Sequence, residues 1–132
     1  MNYAKIERNL KVKRSKTGLG LFTQNGISRG SFVVEYTGKV LSHAKANKKG
    51  GRYLFDISNR RTIDGTSRKN VARYINHACK PNCEVDIRHG RIFVFARRRI
   101  QAGEELHYDY GKEYWDEFIK PYGCRCSVCG KR

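Results

Sequence analysis

Tyr108 and Tyr110 stand at i and i+2 toward the end of this 132-residue chain, so a strand there carries both on one face. Upstream lies Arg73-Tyr74-Ile75-Asn76-His77-Ala78-Cys79-Lys80-Pro81-Asn82-Cys83, rich in amide, imidazole and thiol groups. An Asn-His pair satisfies loop backbone or holds a polar ligand through its donors and acceptors, and His77 alone is a candidate metal ligand. Near the C-terminus, Cys124-Arg125-Cys126-Ser127-Val128-Cys129 sets three cysteines within six residues. This is a strong zinc signal, but a structural site takes four ligands, which leaves Cys79 and Cys83 as candidates for the fourth. Five cysteines, an odd number crowded at one end, favour metal over disulfides in a reducing compartment.

The bulk properties narrow the classes. The length fits one domain, or one domain with a short appendage. Apolar runs such as Ile92-Phe93-Val94-Phe95-Ala96 are far too short to span a membrane, and Met1-Asn2-Tyr3-Ala4-Lys5 lacks the apolar core of a signal peptide, so an intracellular location is expected. Net charge is +16, which raises the odds of a polyanionic partner such as nucleic acid or a nucleosome. Residues 1–55 hold twelve Lys/Arg against Glu7 and Glu35, whereas residues 104–117 hold six carboxylates against Lys112 alone. Such a chain can grip a polyanion on one side and a cationic peptide on the other.

The elements that must position these groups are mostly short strands punctuated by glycine. Leu10–Lys13, Gly20–Thr23 and Phe32–Tyr36 read as strands. Tyr53–Ile57 and Thr62–Asp64 form an expected hairpin around Asn59-Arg60, and Cys83–Ile87 and Arg91–Phe95 another around His89-Gly90. A helix is expected from Ser42 to Lys48, with Ser42 as N-cap and Gly50 as stop, and a turn or two of helix around Lys69 to Tyr74. Lys16-Thr17-Gly18-Leu19-Gly20-Leu21-Phe22 alone marks a turn, and no Gly-x-Gly-x-x-Gly supports a dinucleotide fold.

Read together, Asn76-His77-x-Cys79-x-Pro81-Asn82 and the later Gly103-Glu104-Glu105-Leu106-His107-Tyr108-Asp109-Tyr110-Gly111 resemble the SET-domain protein lysine methyltransferases. The resemblance runs from Gly18 to Cys129. It implies a mostly-β fold of small curved sheets with short helices, in which the C-terminal segment threads under an earlier loop and brings Asn76-His77 beside Tyr110. It divides the chain into a catalytic domain over residues 1–117, with a short insert at about 41–62, and a zinc-binding post-SET tail over 118–132. The implied reaction moves a methyl group from S-adenosylmethionine to a lysine of a protein, with a histone tail as the favoured substrate. A nucleus or chromatin location follows in a eukaryote, the cytoplasm in a bacterium, and the host cell for a viral or secreted protein.

By the same resemblance, Thr17, Gly18 and Leu19 contact the cofactor through main-chain groups. Asn76 and His77 hold its amino-acid end, and Arg73 and Tyr110 are further implied cofactor-binding residues. Tyr53 stands near both cofactor and substrate lysine. Tyr110 is the catalytic tyrosine, and Tyr108 occupies a Phe/Tyr switch position whose hydroxyl limits room for extra methyl groups, implying mainly mono- and some dimethylation. Cys79, Cys124, Cys126 and Cys129 are the implied zinc ligands, although two residues separate the last two cysteines where the family usually has four. The accepting lysine must be neutral, which costs roughly 4–5 kcal/mol at pH 7 from a free pKa of about 10.4. A narrow aromatic channel lowers that cost, so no general base is required, and none is evident near Tyr110. The alternative reading is a catalytically silent SET-like module that binds chromatin or nucleic acid, and an intact Tyr110, Asn76 and His77 argue against it.

Overall fold

The structure, a computed structural model, describes residues 9–16, 18–51 and 53–111. Ten strands and one short helix follow one another: β1 (Leu10–Ser15), β2 (Gly18–Thr23), β3 (Phe32–Tyr36), β4 (Lys39–Ser42), α1 (His43–Lys49), β5 (Leu54–Asp56), β6 (Arg61–Asp64), a 3-10 turn (Val71–Tyr74), β7 (Asn76–His77), β8 (Cys83–Arg88), β9 (Arg91–Ala96) and β10 (His107–Tyr108). Among the described residues no helix is long and apolar enough to cross a membrane.

The strands form four small sheets rather than one large one. β1 and β2 are an antiparallel ribbon, in register from Leu10 opposite Thr23 to Ser15 opposite Gly18. A second sheet has the order β3-β9-β8, and a third β4-β6-β5. The β8–β9 hairpin turns at His89-Gly90, where both residues have positive φ, 51° and 73°. That pairing matches the right-handed twist of the flanking strands. Ser42 caps α1 through its side chain, which accepts from the Lys45 N–H, and Gly50 ends the helix with its N–H on the Ala46 carbonyl. Both anticipated caps are therefore in place, with the helix one residue further along the chain. Strand β4 is an addition to the expected set and exists because β6 pairs with it, Val40 opposite Ile63.

Leu21, Ile27, Val33, Ile75, Ile92, Val94, Ile100 and Leu106, each at most 1% exposed, draw the separate elements onto one core. Branched aliphatic residues of this kind each contribute about 1.5–3 kcal/mol on full burial.

The fourth sheet positions the site. β10 pairs in parallel with β7, placing His107 opposite Asn76 and Tyr108 opposite His77. Two-residue strands cannot hold each other, so the pairing needs outside support. Asn82, 3% exposed, supplies it. Its Nδ2 donates to the Glu105 carbonyl at 2.8 Å, and its Oδ1 accepts from the His107 N–H at 2.9 Å. One side chain thus clasps the returning chain on both sides of Leu106, which is buried and whose own N–H bonds the Leu21 carbonyl at 2.8 Å.

Asn82→Ala strands two backbone groups at once and is expected to destabilise the fold by about 2–4 kcal/mol. Urea denaturation measures this as a lowered midpoint with an unchanged slope.

Candidate functional site

An aromatic line crosses the protein beside the β7–β10 pairing. Ring centroids lie 5.3 Å apart for Tyr36 and Phe55, 6.3 Å for Phe55 and Tyr108, and 4.9 Å for Tyr108 and Tyr110. His77 continues it, edge-on to Tyr110 at 5.5 Å. Tyr108 and Tyr110 come from β10 and the residues after it, whereas His77 comes from β7, so the parallel register creates this neighbourhood. Tyr110 is fixed at both ends: its backbone N–H donates to His77 Nδ1 at 3.1 Å, and its hydroxyl donates to the Ile75 carbonyl.

Tyr53 enters from the other side. Its carbonyl accepts from the Tyr36 hydroxyl at 2.9 Å and from the Gly65 N–H at 2.8 Å. The Arg73 guanidinium covers the Tyr53 ring at 4.2 Å from its centroid, and it also donates to the Thr66 carbonyl. Its Nε is buried with no hydrogen-bond partner among the described residues. Gly65 must be glycine, because a Cβ there would collide with the Tyr36 ring and with Asn70. Asn70 in turn donates to the Gly65 carbonyl at 3.1 Å and accepts from the Thr37 N–H at 3.0 Å, tying the 65–70 loop to the end of β3.

Asn76 joins three parts of the chain. Its Nδ2 donates to the Leu19 carbonyl at 3.0 Å and to Glu105 Oε2 at 2.8 Å, with Ser15 Oγ at 3.4 Å. The Glu105 carboxylate lies over Gly20, and a Cβ at that position would overlap it. A side chain at Gly20 would therefore displace the Glu105 carboxylate, whereas Gly18, at φ 118°, faces open space. Leu19 between them is 50% exposed. Glu105 also lies 3.5 Å from His107 Nε2. Burial acts to raise the Glu105 carboxyl, but hydrogen bonds from His107 and Asn76 and the charge of His107 outweigh it and hold the group below the usual glutamate value.

Burial likewise lowers the His77 imidazole, opposed in part by Asp109, whose Oδ1 is 3.8 Å from Nδ1. Asp109 is exposed and turned from the tyrosine face, as its place between Tyr108 and Tyr110 predicts. Cys79 is exposed, with Sγ 3.6 Å from His77 Nε2. Cys83 is 1% exposed, and burial pushes its thiol up to about 12. Among the described residues no three metal-binding side chains gather. Thr17, Cys124, Cys126 and Cys129 lie outside the described residues.

Of the sites expected from sequence, Tyr110, Tyr108, His77 and Asn76 come together directly, Leu19 reaches them through the Asn76 amide with Gly18 its neighbour in β2, and Tyr53 and Arg73 form a stacked pair. Glu105, Asn82, Tyr36 and Asn70 were not singled out as site residues. A signal for Glu105 exists in strand alternation: Leu106 and Tyr108 face the core, so Glu105 and His107 share the opposite face, and they do meet. Glu104, one residue earlier, instead pairs with Arg98 at 2.8 Å.

Because the folded Glu105 carboxyl lies below 4.5, its ionised form contributes stability that is complete above that pH and is lost as the pH falls through the lowered folded value. Denaturation midpoints between pH 7 and pH 3 should therefore drop at the acid end, and Glu105→Gln should flatten part of that drop. A wild-type and variant drop of equal size removes Glu105 from the account.

The SET domain family profile matches residues 18–111, which include all of this neighbourhood except Ser15. The histone-lysine N-methyltransferase trr of Drosophila melanogaster is 38% identical over 93% of this chain, which covers 6% of that protein. The histone-lysine N-methyltransferase EHMT1 of Mus musculus is 39% identical over 83% of the chain and 10% of its own length, and trithorax of Drosophila virilis 40% identical over 86% and 3%. The chain thus spans a tenth or less of these curated relatives, and its similarity to them lies in one domain. The matched region holds both motifs and the paired strands between which their residues meet, and the chain belongs to the SET domain family.

Proposed function

We propose that this protein is an S-adenosylmethionine-dependent protein-lysine N-methyltransferase acting on a histone tail or another basic protein. Family membership and the relatives' names support the class of reaction. The observation that carries the reading for this chain is the Tyr110 hydroxyl, committed to the Ile75 carbonyl at the end of an aromatic line. With its proton held there, the phenol oxygen presents lone pairs outward. Such an acceptor suits the N–H of a neutral amine and aims the amine's own lone pair elsewhere, toward the group to be accepted. Packing of the lysine stem against Phe55, Tyr108 and Tyr110 would strip water from the amine, and that desolvation lowers its pKa so that it can lose its proton.

The residues present fit the cofactor. Gly18 offers an uncluttered backbone edge, exposed Leu19 an apolar surface, and buried Arg73 Nε a donor still to be satisfied, beside the Asn76 amide. β2, which bears the glycines, packs on the 3-10 turn that bears Arg73. Gly18, Leu19, Arg73, Asn76 and His77 would hold the cofactor, together with Thr17. When bound, it supplies a methyl group on a sulfonium centre. Tyr108, 7% exposed and in contact with Phe55 and Tyr110, would limit the space for further methyl groups and favour monomethylation. Zinc would be held by Cys79 with Cys124, Cys126 and Cys129. Accessibility favours Cys79 over Cys83, whose buried thiol resists the deprotonation that zinc requires.

Transfer of labelled methyl groups to histones, nucleosomes or a basic-protein extract tests the activity. Tyr110→Phe should lower the rate by roughly 100-fold or more with the fold intact. Equal labelling by wild type and variant, or none by either, contradicts the proposal. Tyr108→Phe should raise the di- and trimethyl share seen by mass spectrometry. Zinc content measured by metal analysis should fall in Cys79→Ser and persist in Cys83→Ser.

A further inference from the structure

The sheet β4-β6-β5 and helix α1 build a patch of one charge. Lys45, Lys48 and Lys49 fall at i, i+3 and i+4 on α1 and are all exposed. Arg60 adjoins the start of the helix, its carbonyl accepting from the His43 N–H at 3.0 Å, and Arg61 lies opposite Ser42 in the sheet. Lys39 stands at the far end of the same ladder, opposite Asp64. Two carboxylates occur between residues 39 and 64, and both are engaged. Asp64 takes Lys49, the Thr66 hydroxyl and the Thr66 N–H. Asp56 accepts from the Thr62 hydroxyl at 2.7 Å and lies 3.3 Å from His43 Nε2. Lys39, Lys45, Lys48, Arg60 and Arg61 are all exposed, and no carboxylate among the described residues is recorded on any of them.

Other basic residues are differently placed. Arg88, Arg91 and Arg98 each face a carboxylate. On β1, Lys13 lies over the Phe22 ring and stands opposite Gly20, above which the Glu105 carboxylate sits. Lys11 and Arg14 on β1 and Arg97 and Arg99 after β9 likewise have no carboxylate recorded on them among the described residues, and the patch differs in gathering five such cations on one helix and its sheet.

We infer that the face formed by α1 and the β4-β6-β5 sheet binds the phosphodiester backbone of nucleic acid, a second binding activity separate from methyl transfer. Lysine point charges along a helix suit a row of phosphates and need no particular sequence. The aromatic residues beside this face are committed elsewhere, Phe55 between Tyr36 and Tyr108 and Tyr53 under Arg73, so they give bases no stacking platform. Duplex is therefore preferred over single strands.

The test is binding of the full chain to a fluorescent 20-base-pair duplex across a salt series, with single-stranded DNA, duplex RNA and polyglutamate as competitors. Neutralising Lys45→Gln, Lys48→Gln and Arg60→Gln together should weaken binding about tenfold or more at moderate salt and reduce the slope of log K against log salt by about three. The control Lys11→Gln, Arg14→Gln, Lys16→Gln removes the same charge from β1 and the turn after it and should change affinity less than about threefold. Thermal melting checks that each variant folds. Should the triple variant melt early, Lys48→Gln alone, at an exposed helical position, must still lower the slope by about one. Equal losses from the two triple variants would reduce the effect to net charge and overturn the assignment. Absence of duplex binding would overturn it too, as would polyglutamate competing as well as duplex, which points to an acidic protein.

Discussion

The buried amide of Asn82 is the interaction on which the site depends. Residues 76–77 and 107–110 are distant in sequence, and the paired strands between them are two residues each, too short to find one another unaided. Asn82 holds the Glu105 carbonyl and the His107 N–H, while Leu106 between them seals into the core. Once that register is set, Tyr110 meets His77 and Ile75, Tyr108 meets Phe55, and Glu105 meets Asn76. A one-residue slip would turn Tyr108 from the core toward solvent and His107 into it.

Electrostatics then separates two regions. Near the site, Glu105 is bonded by Asn76 and lies beside His107, and exposed Asp109 lies near His77. Across α1 and its sheet the balance reverses, and cations outnumber carboxylates that are already engaged. One small domain therefore combines a line of packed aromatic rings with a broad cationic face.

Much of this organisation is legible in the chain. Alternation in residues 83–87 and 91–95 with His89-Gly90 between them specifies a hairpin, and Ser42 and Gly50 bound the helix. The two motifs nominate Asn76, His77 and Tyr110, because they carry chemical groups in a pattern one family shares. What stays hidden are pairings whose meaning is tertiary. Asn82 lies in the motif, but nothing local tells that its amide spans 23 residues to Glu105. Gly20 looks like a turn glycine, yet its constraint is the Glu105 carboxylate above it. Lys39–Ser42 carries too little pattern to declare a strand until β6 supplies its partner. Local preference decides hairpins and caps, whereas contacts across long sequence gaps are decided by the packing of the whole.

The Asn82 clasp brings together, from two distant segments, the residues proposed to bind the cofactor. Calorimetric binding of S-adenosylmethionine to wild type and to Asn82→Ala, at a temperature where both are folded, tests it most directly. The account predicts that wild type binds and that the variant loses affinity by roughly tenfold or more, although Asn82 itself lies behind the site. Equal affinities in the two proteins, or no binding by folded wild type, would contradict it.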